Sequence, residues 1–366
     1  MKKLLRVILA LTMLASLLVG CRQQQTKSEY TKYTDTFFDA FDTVTTVVGY
    51  TKSEQEFKDY FAKVQARFME LHRYYDIYNN YDGVNNIKTI NDNAGIKPVK
   101  VSKEIIDLIQ FAKDWDKRSG NTTNIAMGSV LKIWHDYREV GKNDPDAAEL
   151  PPLARLQKAS QHTDINKVVV DTSNSTVYLA DPEMSLDVGA VAKGYATEIV
   201  AQEIKAAGLQ SGIISAGGNV RVLGKPLDGV RERWGIGVQD PSKALYSESG
   251  DELLDTLFLN DESVVSSGDY ERYYIVNGQR YHHLIDPKTL MPGEYYSAVT
   301  VITQDSGDAD ALSTAVFLLP YEQSSALVKS LKGVEAIWVF RDGRIEATDG
   351  AKKIMKSHGA TGAKAQ

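Results

Sequence analysis

The chain has 366 residues, with 43% apolar and 25% charged residues, 42 Lys and Arg against 48 Asp and Glu, a formal charge of −6 and one cysteine. That length suits one large domain or two interlocked ones. Acidity without a long basic run argues against nucleic acid as a partner, and a single cysteine excludes an intramolecular disulfide or a cysteine-based metal cluster.

Residues 1–20 differ from the rest. Lys2, Lys3 and Arg6 make a positive start, and an apolar run from Val7 to Val19 follows. The run is too short for a stable transmembrane helix and reads as a secretory signal peptide. It ends in Leu18-Val19-Gly20-Cys21, which resembles a bacterial lipobox, with cleavage before Cys21 and lipid on its sulfur. The alternative is a cleaved signal with an incidental cysteine. Cleavage takes three positive charges and no negative one from the net −6, leaving −9. The polar stretch with Gln23-Gln24-Gln25 makes residues 21–35 an expected flexible, lipidated tether. The protein is then expected at the extracytoplasmic face of the cell membrane, lipid-anchored.

The first strand is expected at Phe41-Asp42-Thr43-Val44-Thr45-Thr46-Val47-Val48, which is rich in β-branched residues. Helical spacing of Phe57, Phe61, Val64, Phe68 and Leu71 predicts a helix over 57–75. A second runs from Ser102 as N-cap to about Lys117 and turns Ile105, Ile106, Ile109 and Ala112 inward. Asn143 to Pro152 reads as a polar surface loop. Strands at 167–170 and 176–179 flank the turn signal Ser173-Asn174. Ser185 to Val188 reads as a short strand entering a helix from Ala190 to Ala207, closed by Gly208. Ile213-Ile214 and Val220-Arg221-Val222 bracket a Gly217-Gly218-Asn219 turn. A last helix is expected at about Ala309–Leu319, then a closing hairpin of 335–340 with 344–347. Without regular βαβ alternation the fold class is α+β, mixed sheets with packed helices. Residues 36–350 form the expected catalytic domain, and 351–366 a flexible C-terminal tail.

Three segments carry chemistry. In Asp187-Val188-Gly189-Ala190-Val191-Ala192-Lys193-Gly194, a strand meets a helix whose free N–H groups and first-turn lysine favour an anion such as phosphate. The bland alternative is a helix start with a surface lysine. In Gly307-Asp308-Ala309-Asp310-Ala311-Leu312-Ser313-Thr314, Asp308 is the expected N-cap, and Asp310 and Thr314 project from one face. A carboxylate and a hydroxyl there make a hard-oxygen half-site suited to magnesium; the alternative is favourable charge at a helix N-terminus beside a buried threonine. In the third segment, counting outward from Asn277-Gly278 pairs Val276 with Gln279, Tyr274 with Tyr281 and Arg272 with His283. His283 lies outside any zinc-motif spacing, so a base or hydrogen-bonding role suits it better than metal ligation.

These segments, with Ser267-Gly268-x-Tyr270-Glu271-Arg272 and His283-x-Ile285-Asp286-Pro287, resemble the ApbE family of FAD:protein FMN transferases over roughly residues 36–350. The resemblance implies a T-fold-type architecture and transfer of FMN from FAD, with AMP released, to a Ser or Thr hydroxyl of acceptor proteins. Those acceptors would be membrane electron-transfer or reductase proteins carrying a motif like Asp-x-x-x-(Ser/Thr)-Gly-Ala-Thr. Carried over by position, Phe41 would lie beside FAD and Tyr78 would contact the flavin. Thr122, Thr123 and Asn124 stand where the family commonly has Phe-Asp or Met-Asp. Asp187 and Lys193 would hold FAD, and Ile285 would touch it. Mg2+ would be held by the backbone oxygen of Ala190 with Asp310 and Thr314, Ser313 lying near. His283 is the histidine the resemblance marks as needed for activity; as general base it has Asp310 as runner-up. The alternatives are an FAD-binding lipoprotein, a magnesium-dependent FAD pyrophosphatase and, outside flavin chemistry, a solute-binding lipoprotein.

Overall fold

A computed structural model describes residues 28–243 and 252–363. The signal peptide, Cys21 and the start of the tether lie outside them. In chain order the elements are β1 (Thr31–Ala40), β2 (Thr43–Thr51), α1 (Glu54–Tyr75), α2 (Ile87–Asp92), β3 (Val99–Lys100), α3 (Lys103–Arg118), α4 (Gly128–Asn143) and α5 (Leu153–Ala159). Next come β4 (Val168–Asp171), β5 (Thr176–Leu179), α6 (Ala192–Ala206), β6 (Gly212–Ala216), β7 (Asn219–Leu223), β8 (Trp234–Gln239) and β9 (Leu253–Leu259). The chain ends through β10 (Ser263–Gly268), β11 (Tyr273–Val276), β12 (Gln279–His282), β13 (Tyr296–Thr303), α7 (Ser306–Leu318), α8 (Tyr321–Ser330), β14 (Glu335–Phe340), β15 (Ile345–Ala347) and α9 (Asp349–Ile354).

Eight strands form one sheet in the order β1-β2-β6-β7-β10-β13-β14-β15, flanked by smaller sheets β3-β5-β4, β8-β9 and β11-β12. The fold class is therefore α+β. Period-2 alternation splits the large sheet's side chains between two cores. Val47, Ile214, Val265, Val301 and Trp338 join the core under the helices, whereas their neighbours Val48, Ile213, Val264, Ile302 and Ile337 meet Trp234, Ile236, Leu257 and Met355 on the opposite face. β13, buried at all but one position, has both faces covered and so reads apolar throughout. α7 is buried at every residue except Asp308, and the polar side chains of Asp310 and Ser313 are hydrogen-bonded where they are buried. A third core joins α4 to the β11–β12 hairpin through Val130, Ile133, Trp134, Tyr274 and Val276.

Several expectations need correction. The strand expected at Phe41–Val48 is the second: Phe41 and Asp42, at φ 56° and 50°, form the turn between β1 and β2. β1 takes Thr31–Asp35 from the expected tether; as an edge strand it is largely exposed and shows no apolar alternation. Ser185–Val188 makes only an isolated bridge from Ser185 to Met127, and α6 starts at Ala192 rather than Ala190. The N-cap of α7 is Asp305, whose carboxylate accepts from Asp308 N–H, so Asp310 sits in the second turn. α7 is not the last helix, since α8 and α9 follow. The tail up to Ala363 is docked: Met355 is buried and bridges Leu257, and Arg231 bridges Ala363.

α6 and α7 cross closely because Gly194 has no side chain. A Cβ there would stand 2.2 Å from Ser306 O and 2.4 Å from Asp310 Cβ. Gly194→Ala is expected to lower stability by about 1–3 kcal/mol through overpacking and to push Asp310 off its position. A lower denaturation midpoint together with lost activity would bear this out; a wild-type midpoint would mean the helices yield freely.

Candidate active site

A cleft of about 230 Å³ opens between the main helix-covered core and the satellite core of α4 and the β11–β12 hairpin. Its walls contain Phe41, Tyr78, Thr122, Thr123, Asn124, Asp187, Ala190, Lys193, His283, Ile285, Asp310 and Thr314. All the expected site residues among the described ones are thus brought together, except Ser313. Its hydroxyl is fully buried, donating to Asp310 O and bonded to Ser267 Oγ, both at 2.9 Å. Ser313 fixes α7 against β10 instead of facing the cleft.

At the start of α6, Asp187 N–H donates to Ile125 O (2.8 Å), and Asp187 Oδ1 accepts from Gly189 N–H (2.9 Å). This turn delivers Lys193 into the first turn of α6. Gly194 N–H donates to Asp310 Oδ2 at 2.8 Å, so a carboxylate from α7 caps α6 beside Lys193. Burial pushes the Asp310 carboxyl up, against the pull of Lys193 and of the Gly194 N–H. Thr314 follows one turn along the same face, and Glu198 Oε2 pins the arrangement from behind by accepting from Ser306 N–H and Arg221 Nε, both at 2.9 Å.

His283 stands just past β12. The observed pairs Tyr274–Tyr281 and Val276–Gln279 match the expected register; Arg272 and His283 lie one step beyond the last pair, Tyr273–His282. The two adjacent histidines face different surroundings. His282 is locked between Gly293 O (2.8 Å from Nε2) and Leu284 N–H (3.2 Å from Nδ1), and burial brings it down to about 4. His283 lines the cleft, and its buried Nδ1 has no hydrogen-bond partner. Burial first, and then Arg272, hold the His283 ring well below the ordinary histidine value.

The polar side chains of the Thr122–Asn124 loop bond to the surrounding chain. Thr122 Oγ1 donates to Ser119 O (2.8 Å), Thr123 Oγ1 pairs with Ser119 Oγ (2.9 Å), and Asn124 Nδ2 donates to Thr163 O (2.8 Å). These side chains shape the wall. Phe41 N–H donates to His72 Nδ1, and Tyr78 is 54% exposed at the rim.

α4 was missed in the sequence, and with it the wall residues Leu131, Trp134, His135 and Arg138. The spacing Val130, Ile133, Trp134, Tyr137 is helical and was the available signal. Lys193 and Arg272 make no ion pair among the described residues, and Arg138 has only the neighbouring Glu139 at 3.9 Å. The cleft therefore gathers three cations that make no close ion pair with its carboxylates, although Asp187, Glu271 and Asp310 line the same walls and attract them.

No group of three or more His, Cys, Asp or Glu that would hold a metal occurs among the described residues. A single buried carboxylate with a hydroxyl one turn away fits magnesium, which keeps waters and phosphate oxygens as its other ligands, better than a cation needing an all-protein cage.

The profile of the ApbE family matches residues 41–338. The chain is 34% identical over 277 residues to an FAD:protein FMN transferase of Treponema pallidum, covering 72% of this chain and 73% of that one. It is 32% identical over 276 residues to one of Klebsiella pneumoniae, covering 75% and 81%. Among solved structures, the ApbE protein of Thermotoga maritima superposes with a TM-score of 0.75 at 28% identity, over 89% of this chain and 99% of that one. Since residues 41–338 include every cleft residue named above, the chain belongs to the ApbE family.

Proposed function

We propose that the protein transfers FMN from FAD to a Ser or Thr hydroxyl of acceptor proteins, with magnesium bound by Asp310, Thr314 and the Ala190 carbonyl. The observation that carries this reading is the cleft itself: Arg272, Arg138 and Lys193 lie around His283, whose buried Nδ1 has no hydrogen-bond partner and whose ring is held well below the ordinary histidine value by burial. The relatives named above act on FAD, whose pyrophosphate is the anion such a cleft would take.

The acceptor oxygen attacks the phosphorus on the riboflavin side of the pyrophosphate. A new P–O bond forms, the bond from that phosphorus to the bridging oxygen breaks, and AMP leaves. His283 takes the hydroxyl proton, for which a neutral, desolvated ring is the required state. Lys193 balances charge on the phosphoryl oxygens; magnesium, held by Asp310, Thr314 and the Ala190 carbonyl, would supply further charge neutralisation. Asp187 and Tyr78 orient the flavin half.

Incubation with FAD, magnesium and an acceptor domain tests the reading by in-gel flavin fluorescence. Covalent label on the acceptor is expected. AMP release without label would make the protein an FAD pyrophosphatase, and intact bound FAD without turnover an FAD-binding protein.

We further propose that Cys21 is lipidated and holds the enzyme at the extracytoplasmic face of the membrane, where membrane redox proteins would be its acceptors. Cys21 lies outside the described residues and before β1, and no described helix is long and apolar enough to cross a membrane. Firm anchoring by lipid takes more than one acyl chain, as a lipoprotein cysteine supplies. Cys21→Ser is expected to keep activity and move the protein to the soluble fraction; a serine variant that stays in the membrane fraction after signal cleavage would sink the anchor.

A further inference from the structure

Helix α4 brings to the cleft a cation that lies outside every motif singled out in the sequence. The Arg138 side chain is only 12% exposed and lines the cleft. Its Nη2 donates to His135 Nδ1 at 3.0 Å, which requires that nitrogen to be an acceptor and puts the ring proton on Nε2. His135 in turn packs against Tyr78, with ring centroids 5.4 Å apart. The guanidinium is thus aimed by a histidine that is itself braced by an aromatic ring.

What Arg138 lacks is a close counter-ion. Among the described residues the carboxylate within ion-pair distance is that of Glu139, at 3.9 Å from Nε. Burial works most strongly against the charged form and Arg272 adds to it, opposed by the pull of Glu139 and, more weakly, of Asp187. A desolvated guanidinium without a firm partner is costly, and two converging on one space are stabilised by an anion with charge to share. The oxidised isoalloxazine offers neutral carbonyls, whereas a pyrophosphate offers two negative charges and the oxygen geometry that a guanidinium fork matches.

We infer that Arg138, oriented by His135, binds the pyrophosphate of the dinucleotide from the α4 wall of the cleft, while Lys193 and Asp310 belong to the opposite wall. The identity of the dinucleotide as FAD rests on the proposed function; the phosphate contact does not. Bound between the two walls, the pyrophosphate would tie the satellite core to the main one.

The test compares wild type, Arg138→Gln and Arg138→Lys by titration with FAD, ADP, inorganic pyrophosphate and riboflavin, alongside thermal melts without ligand. Arg138→Gln should weaken FAD, ADP and pyrophosphate about tenfold or more, leave riboflavin unchanged and not lower the melting temperature. Arg138→Lys should recover part of the loss. Unchanged FAD and pyrophosphate affinity would overturn the inference, as would an equal loss for riboflavin, which would put the contact on the flavin ring. Arg138-dependent pyrophosphate binding by a wild type that ignores FAD would instead overturn the flavin reading and keep this one.

Discussion

Asp310→Ala is expected to abolish FMN transfer, lowering the rate by roughly 10²–10³ or more, and extra magnesium should restore little. Asp310 is a buried carboxylate with one oxygen already given to Gly194 N–H, and the groups left without it are Thr314 and a backbone carbonyl. Neutral oxygens alone hold a reluctantly dehydrating cation poorly. The informative control is Asp310→Asn, whose amide oxygen still accepts from Gly194 N–H and keeps the α6 cap. If the charge matters, the asparagine variant is as inactive as the alanine one. If capping α6 is the residue's whole contribution, asparagine rescues, and near-wild-type turnover in that variant would remove the metal assignment.

The same carboxylate makes a prediction about wild-type stability. Burial raises its folded-state pKa, so above the ordinary carboxylate value the folded state binds more protons than the unfolded one. Its contribution therefore declines as pH rises through the folded pKa. Magnesium should replace the missing proton, so the rise in melting temperature on adding magnesium should grow as pH rises.

How much of this was legible beforehand follows from where the information sits in the chain. α1 and α3 announce themselves because one face of each meets a single core, giving Phe57, Val64, Phe68 and Leu71 or Ile105, Leu108, Ile109 and Ala112 at helical spacing. The β11–β12 register was fixed by the two residues Asn277-Gly278, a local signal that needs no tertiary knowledge. β1 was hidden because it lies at the sheet's edge, where Thr31, Lys32, Thr34 and Asp35 stay exposed and look like linker. The tail was misread for a related reason. Its docking depends on a few long-range contacts, such as Glu232 N–H to Gly362 O at 2.8 Å, that leave no periodicity.

The site divides the same way. Asp187, Lys193 and Asp310 sit at or near the starts of α6 and α7, where turn and cap chemistry marks the sequence locally, and Thr314 follows Asp310 by one turn. Arg138 and His135 come from mid-helix positions on an element that packs on nearby α5 and on the β11–β12 hairpin far along the chain, so their convergence on the cleft is a property of the fold. Ser313 shows how one step along a helix changes the surroundings. Adjacent to Thr314 in sequence, it lies about 100° round the helix and finds Ser267 instead of the cleft.

His283→Ala should remove most of the activity at every pH, by roughly 10²–10⁴, and Arg272→Gln should move the acidic limb of the transfer profile upward. Burial is the larger cause of the lowered His283 value and Arg272 the next, followed by His282, Arg138 and Lys193. A base acts in its neutral form, so the wild-type limb should lie below the ordinary histidine value of about 6.5. Removing the Arg272 charge while leaving the burial intact raises the ring's pKa only in part. The limb should therefore move toward that value without reaching it. Arg272 also lines the cleft and its loss will slow turnover, so the position of the limb is the readout, not the height of the plateau. The residual rate of the His283→Ala variant should no longer rise across that limb, which separates titration of His283 from titration of Asp310. A limb that stays in place in Arg272→Gln, or that survives in His283→Ala, would transfer the base assignment away from His283.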